Sequence, residues 1–93
     1  MADLRQILKG LGKTEDGTKK REEIILKYRH RLPQFDFELL FYTYIKTRTR
    51  ANISMKVGIA ESTYYSKIDK ALARLEMLIT DYEFRELIRL AKL

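Results

Sequence analysis

Apolar residues recur three and four positions apart in nearly every stretch of the chain, and no segment alternates with period two for more than a few residues. That spacing lines one face of a helix and leaves no half-buried strand to pair. The pattern therefore predicts an all-α fold, a small helical bundle of five or six helices. With 93 residues the chain has room for one domain and one modest core.

Leu4, Ile7, Leu8 and Leu11 predict a short helix over residues 3–10, broken at Gly10 and Gly12, and "GKTEDGTKK" reads as a flexible connection. From about Lys20, Ile24, Ile25, Tyr28 and Leu32 share a face, and Pro33 ends that helix because the residue before a proline is pushed out of helical geometry. Asp36 is the expected cap of the next helix, whose stripe of Phe37, Leu40, Phe41, Tyr44 and Ile45 makes it the central core helix. Thr49 is the expected cap of a short helix over Arg50–Val57, buried through Ile53 and Val57. A longer helix spans residues 61–78. Thr80 and Glu83 have capping-box spacing and open a last helix with Phe84, Leu87, Ile88 and Ala91 on one side. Within a single domain the segments group as N-terminal helices (1–35, with flexibility around 10–20), a core (36–79) and a C-terminal helix (80–93) used for packing or dimerisation.

Three of the four glycines fall in the first seventeen residues; Gly58 stands alone between two helical patterns. A two-turn helix, one glycine and a longer helix outline a helix-turn-helix. The backbone must reverse just after the first helix, in a left-handed conformation that glycine adopts without Cβ strain. Val57 and Ile59 flank it to bury the corner.

Charge singles out the same stretch. The net charge is +6, but residues 1–41 carry +2, residues 42–75 carry +5 and residues 76–93 carry −1. A local excess of cations is the footprint of a polyanionic partner. In the helix after Gly58, Tyr64, Ile68, Ala71 and Leu75 are spaced to be buried, leaving hydroxyl and cationic side chains on the other faces. Ser62, Thr63, Tyr65 and Ser66 are the candidate base or groove contacts. Lys67, Lys70 and Arg74 along one flank, with Arg48 and Arg50 from the preceding corner, are the candidate phosphate contacts. The reading is a helix inserted into the major groove of double-stranded DNA. Five neutralised phosphates would give a slope of log K against log salt of roughly −4 to −5.

"GIAESTYYSKIDKALARL" resembles the helix-turn-helix of region four of bacterial sigma factors, and more closely that of phage regulators of the ArpU and RinA type. Gly58, Ile59, Glu61, Ser62, Thr63, Tyr64, Tyr65, Lys70, Ala71, Leu72 and Leu75 fit that pattern, and "LLFYTYI" is similar to the family's preceding helix. The resemblance covers roughly residues 37–76. Ala60 departs from it, standing where the family has a capping serine, and "RANISMKV" lacks the usual acidic helix start, with Arg50 at the positive end of the dipole. The resemblance implies a phage- or prophage-encoded transcriptional regulator acting in the cytoplasm of a bacterial host, with RNA polymerase as a further partner. Two other readings share the motif: a non-transcriptional phage DNA-binding protein (a small terminase subunit, or a replication or excision accessory), and an adaptor that contacts polymerase alone.

A single recognition helix favours a dimer on a two-fold site. Phe84, Leu87, Ile88 and Leu90 with Tyr82, and Leu4, Ile7 and Leu8, are the candidate dimer surfaces. No enzyme is expected. His30 is the lone histidine and sits in a basic run, the carboxylates are scattered, and no phosphate-binding loop is present. There are no cysteines, hence no thiolate metal site; no metal, cofactor or membrane partner is expected.

Overall fold

The computed structural model describes residues 3–92; Met1, Ala2 and Leu93, which the segments 1–35 and 80–93 include, lie outside the described residues. Among the described residues there are six α-helices and no strand: α1 (Leu4–Leu11), α2 (Glu15–Lys27), α3 (Gln34–Leu40), α4 (Arg50–Val57), α5 (Glu61–Leu78) and α6 (Asp81–Ala91). α3 runs directly into one π-helical turn, Phe41–Ile45.

The first helix continues through Gly10 to Leu11. Asp3 and Gln6 form a capping box at its start, and Gly10 lies inside it, where a Cβ would come within 3.1 Å of Ala91 on α6. The expected flexible connection is instead helical from Glu15. Thr14 Oγ1 accepts from the Gly17 N–H at 2.9 Å, and Glu15 and Asp16 sit at the positive end of the α2 dipole. Gly17 serves close approach: a Cβ there would lie 2.2 Å from the Leu11 carbonyl oxygen. Thr14 and Gly17 thus serve as a cap and a close contact of a continuous helix.

α2 stops at Lys27, well before Pro33. Pro33 has no N–H to close a helical turn onto Arg29, and the chain descends in tight turns, Arg29 N–H to Leu26 O and Arg31 N–H to Tyr28 O. α3 then begins at Gln34 with Pro33 at the cap position, so Asp36 is not the cap. It lies in the first turn, 3% exposed, and accepts a 2.5 Å hydrogen bond from Arg74 of α5. A buried carboxylate needs a cation more than a helix end does.

Ile7, Leu8 and Leu11 of α1, Ile24 and Ile25 of α2, Leu39 and Leu40 of α3, Ile53 of α4, Ile68, Ala71 and Leu75 of α5, and Leu87 of α6 form one continuous core. α1 packs on α6 and α3 on α5. This changes the status of the candidate dimer surfaces. Leu4, Ile7, Leu8 and Leu87 are buried within the chain, and Phe84, Ile88 and Leu90 are partly buried against the same core. Of that set only Tyr82, at 73%, is prominently exposed.

Thr80 and Glu83 form the predicted capping box. Glu83 also accepts from the Tyr28 hydroxyl and, at 2.5 Å, from Lys27 Nζ, tying α6 to the end of α2. Burial alone would raise its pKa, but the hydrogen bonds from Lys27, the Thr80 N–H and Tyr28 outweigh that and hold it at about 2.

Candidate nucleic-acid interface

The α4–α5 corner follows the boundaries the sequence predicts. Thr49 caps α4 by accepting from the Asn52 N–H at 3.2 Å, and Gly58 ends it at φ 75°. The Ile59 N–H reaches back to the Ser54 carbonyl at 3.0 Å, closing the six-residue loop characteristic of a glycine-terminated helix. A Cβ on Gly58 would meet nothing within 4 Å, so glycine is needed there for its conformation and not for space. Ala60 occupies the cap position of α5 with no side chain to offer.

α5 is anchored by Tyr64, Ile68, Ala71, Leu72 and Leu75. The Tyr64 hydroxyl shares a 2.8 Å hydrogen bond with Thr43 Oγ1 on the π-helical turn. Opposite the anchor, Ser62, Tyr65, Ser66 and Lys70 are exposed, while Thr63 and Lys67 are half-buried. The hydroxyls of Ser62, Thr63 and Ser66 make no side-chain hydrogen bond among the described residues, so their full capacity faces outward. The two edges of α5 carry opposite charge: Lys67 and Arg74, seven apart, on one, and Asp69 and Glu76, seven apart, on the other. Arg5 of α1 pairs with Asp69. A phosphate strand following α5 would therefore run along the Lys67 edge.

The candidate phosphate contacts divide into two kinds. Arg48, Lys67 and Lys70 have no ion-pair partner among the described residues. Arg74 is tied to Asp36 across to α3. Arg50 does not stand at the α4 dipole end unattended: its Nε is 3.3 Å from Glu61 and its guanidinium lies over the Tyr65 ring, 5.2 Å from the centroid. Tyr65 in turn meets Tyr64 edge to face at 5.4 Å. The exposed Arg50–Glu61 pair is worth about 0.2–1 kcal/mol, too little to hold the arginine from a better anion.

Upstream, Thr47 adopts φ 49°, a left-handed conformation that costs a β-branched residue on the order of 1–3 kcal/mol. The Arg48 N–H bond to Tyr42 O (2.9 Å) and the Thr47 hydroxyl bond to Lys46 O (2.8 Å) hold it. This strained link and the π-helical turn before it set where Arg48 and α4 begin.

Two further cations gather on one aromatic pair. Phe41 and Tyr42 stack at 5.5 Å, with Lys46 Nζ over the first ring (5.6 Å) and Lys56 Nζ over the second (5.5 Å). They stand ten residues apart on different elements, and only the fold joins them; the adjacent aromatic pair beside a lysine was the one available signal. His30 is exposed, and no cluster of His, Cys, Asp or Glu suited to a metal occurs among the described residues. No helix of the described residues is long and apolar enough to cross a membrane. No protein-family profile, curated protein or solved structure matches the chain.

Proposed function

We propose that the protein is a sequence-specific DNA-binding transcriptional regulator of phage or prophage origin, with α4 and α5 acting as a helix-turn-helix and α5 entering the major groove. The observation that carries this reading is the row of unpartnered hydroxyls on α5, directly after a helix end turned by Gly58 in left-handed geometry. Ser62 and Ser66, one helical turn apart, face base edges; Thr63 and Tyr65 flank them. Arg48, Lys67 and Lys70 hold phosphates, and Arg50 and Arg74 join only by leaving Glu61 and Asp36. Neutralisation of three phosphates gives a salt slope of about −3, and of all five about −4 to −5.

The test is selection from a random duplex pool at near-physiological salt, run beside the variant Ser62→Ala/Ser66→Ala. An enriched motif that the variant no longer selects supports groove reading by α5. If no motif is enriched and the salt slope is near zero, α5 does not bind DNA, and isolated core RNA polymerase becomes the partner to assay.

A further inference from the structure

On the side of the molecule where α1, α2 and the π-helical turn meet, a solvent-open cavity of about 460 Å³ is rimmed by Arg5, Lys9 and Lys13, with Arg21 in its wall. Gly12, Thr43 and Tyr44 complete it, and among the described residues no carboxylate lines it. The size falls within the range of small-ligand sites, about 300–1,000 Å³.

Arg21 is the unusual member. It is 8% exposed and has no carboxylate within ion-pair reach among the described residues. One guanidinium nitrogen donates to the Leu8 carbonyl at 3.0 Å, the group lies 5.7 Å from the Tyr44 ring centroid, and Nε, closed to solvent, has no partner among the described residues. Burial pulls its pKa below the ordinary arginine value. A buried guanidinium short of an anion is costly unless something else meets it. The main chain keeps clear of it: a Cβ on Gly12 would come 2.6 Å from a terminal nitrogen. Complementing the C-terminal dipole of α1 accounts for Lys9 and for the Leu8 bond. It does not account for a cavity whose lining, among the described residues, carries four cations and no acid.

We propose that this cavity is a phosphate-binding site, with Arg21 as its buried anchor and Lys9 and Lys13 as its rim. A planar guanidinium and two ammonium groups suit a phosphate dianion. The phosphate belongs either to a DNA backbone or to a small phosphorylated compound. Thr43 lines the cavity and shares its hydroxyl with Tyr64, so the site lies one hydrogen bond from the first turn of α5. The site itself does not depend on the DNA-binding reading.

The experiment titrates inorganic phosphate into the isotope-labelled full chain, with chloride at matched ionic strength, and follows backbone amide shifts. Saturable changes centred on Gly12, Lys13 and Thr43 are expected with phosphate alone. Lys9→Gln/Lys13→Gln should weaken them by roughly tenfold, while Lys19→Gln/Arg85→Gln, which removes two exposed charges elsewhere, should not. Shifts that chloride reproduces, that never saturate, or that the Lys9/Lys13 variant leaves intact overturn the proposal. With phosphate binding established, the same variant distinguishes the source: a duplex salt slope shallower by about 1–2 assigns the site to backbone phosphate, and an unchanged slope assigns it to a small phosphorylated ligand. Absence of any duplex binding overturns the proposed function and leaves the phosphate result standing.

Discussion

The α1–α2–α6 body and the α4–α5 face spend their polar groups differently. In the body, Asp3 and Gln6 close one capping box, Thr80 and Glu83 close another, and Glu83 also receives Lys27 and Tyr28. On the face, α5 starts on an alanine without a cap, its serines have no partners, and Met77 is 87% exposed. The caps of the body, Arg21 Nε apart, meet their partners within the chain, whereas the start of α5 leaves its serine hydroxyls without side-chain partners among the described residues. Folding stability should therefore be sensitive to the packed body and nearly indifferent to the exposed side chains of α5.

The largest effect expected is in the body. Leu87 is fully buried between α6 and the rest of the core, and Leu87→Ala should cost about 2–5 kcal/mol in urea unfolding. Met77→Ala on the outer side of α5 should stay within about 0.5 kcal/mol. Similar costs at the two positions would erase the contrast.

Next is Glu83. Its folded pKa of about 2 lies below the ordinary 4.5, so its contribution is fully present above pH 4.5 and is lost as pH falls from there towards 2. Glu83→Gln should cost about 1–3 kcal/mol at neutral pH and flatten the loss of stability across that acid range. A variant that unfolds with the wild-type pH profile would show that Lys27 and Tyr28 add nothing to the α2–α6 junction.

Smaller again is the turn. Gly58→Ala forces a Cβ into left-handed geometry with open space around it, a cost of about 1–2 kcal/mol. Gly17→Ala, facing the Leu11 carbonyl, should cost more although its backbone is ordinary helix. Equal unfolding midpoints for Gly58→Ala and wild type would mean that the corner relaxes.

These two glycines also show what was legible in the sequence. Gly58 was readable because the demand on it is local: a helix ends, and φ must turn positive. Thr49, the span Arg50–Val57, the start of α5 and the Thr80–Glu83 box were readable for the same reason, since each depends on neighbours within four residues. Gly17 was misread because its reason is the Leu11 carbonyl of another helix. Asp36 was assigned a local job and has a distant one with Arg74. The use of the α1 and α6 faces was not legible, because an apolar face in sequence does not say whether its partner is a helix of the same chain or a second copy. The cavity around Arg21 was invisible, since its cations come from α1, the link after it and α2, and nothing in "KKREE" marks one arginine as buried. Of the candidate interface, the exposed hydroxyl row followed from helical spacing, whereas the pairing of Arg50 with Glu61 and Tyr65 did not.

The sharpest use of the contrast is the smallest effect. Ser62 and Ser66 are exposed, have no hydrogen-bond partners, and lie within the first two turns of α5. Alanine is the better helix former, and its intrinsic gain offsets whatever the hydroxyls add by bonding to water. Ser62→Ala/Ser66→Ala should therefore leave the unfolding free energy within about 0.5 kcal/mol of wild type, or raise it slightly. A loss above about 1 kcal/mol would mean that the hydroxyls cap the free N–H groups left by Ala60, which makes them structural and removes the main support for groove reading. Unchanged stability together with lost duplex selection cannot come from a damaged fold. That pair of results would assign the two serines to binding, because the fold gives them nothing else to do.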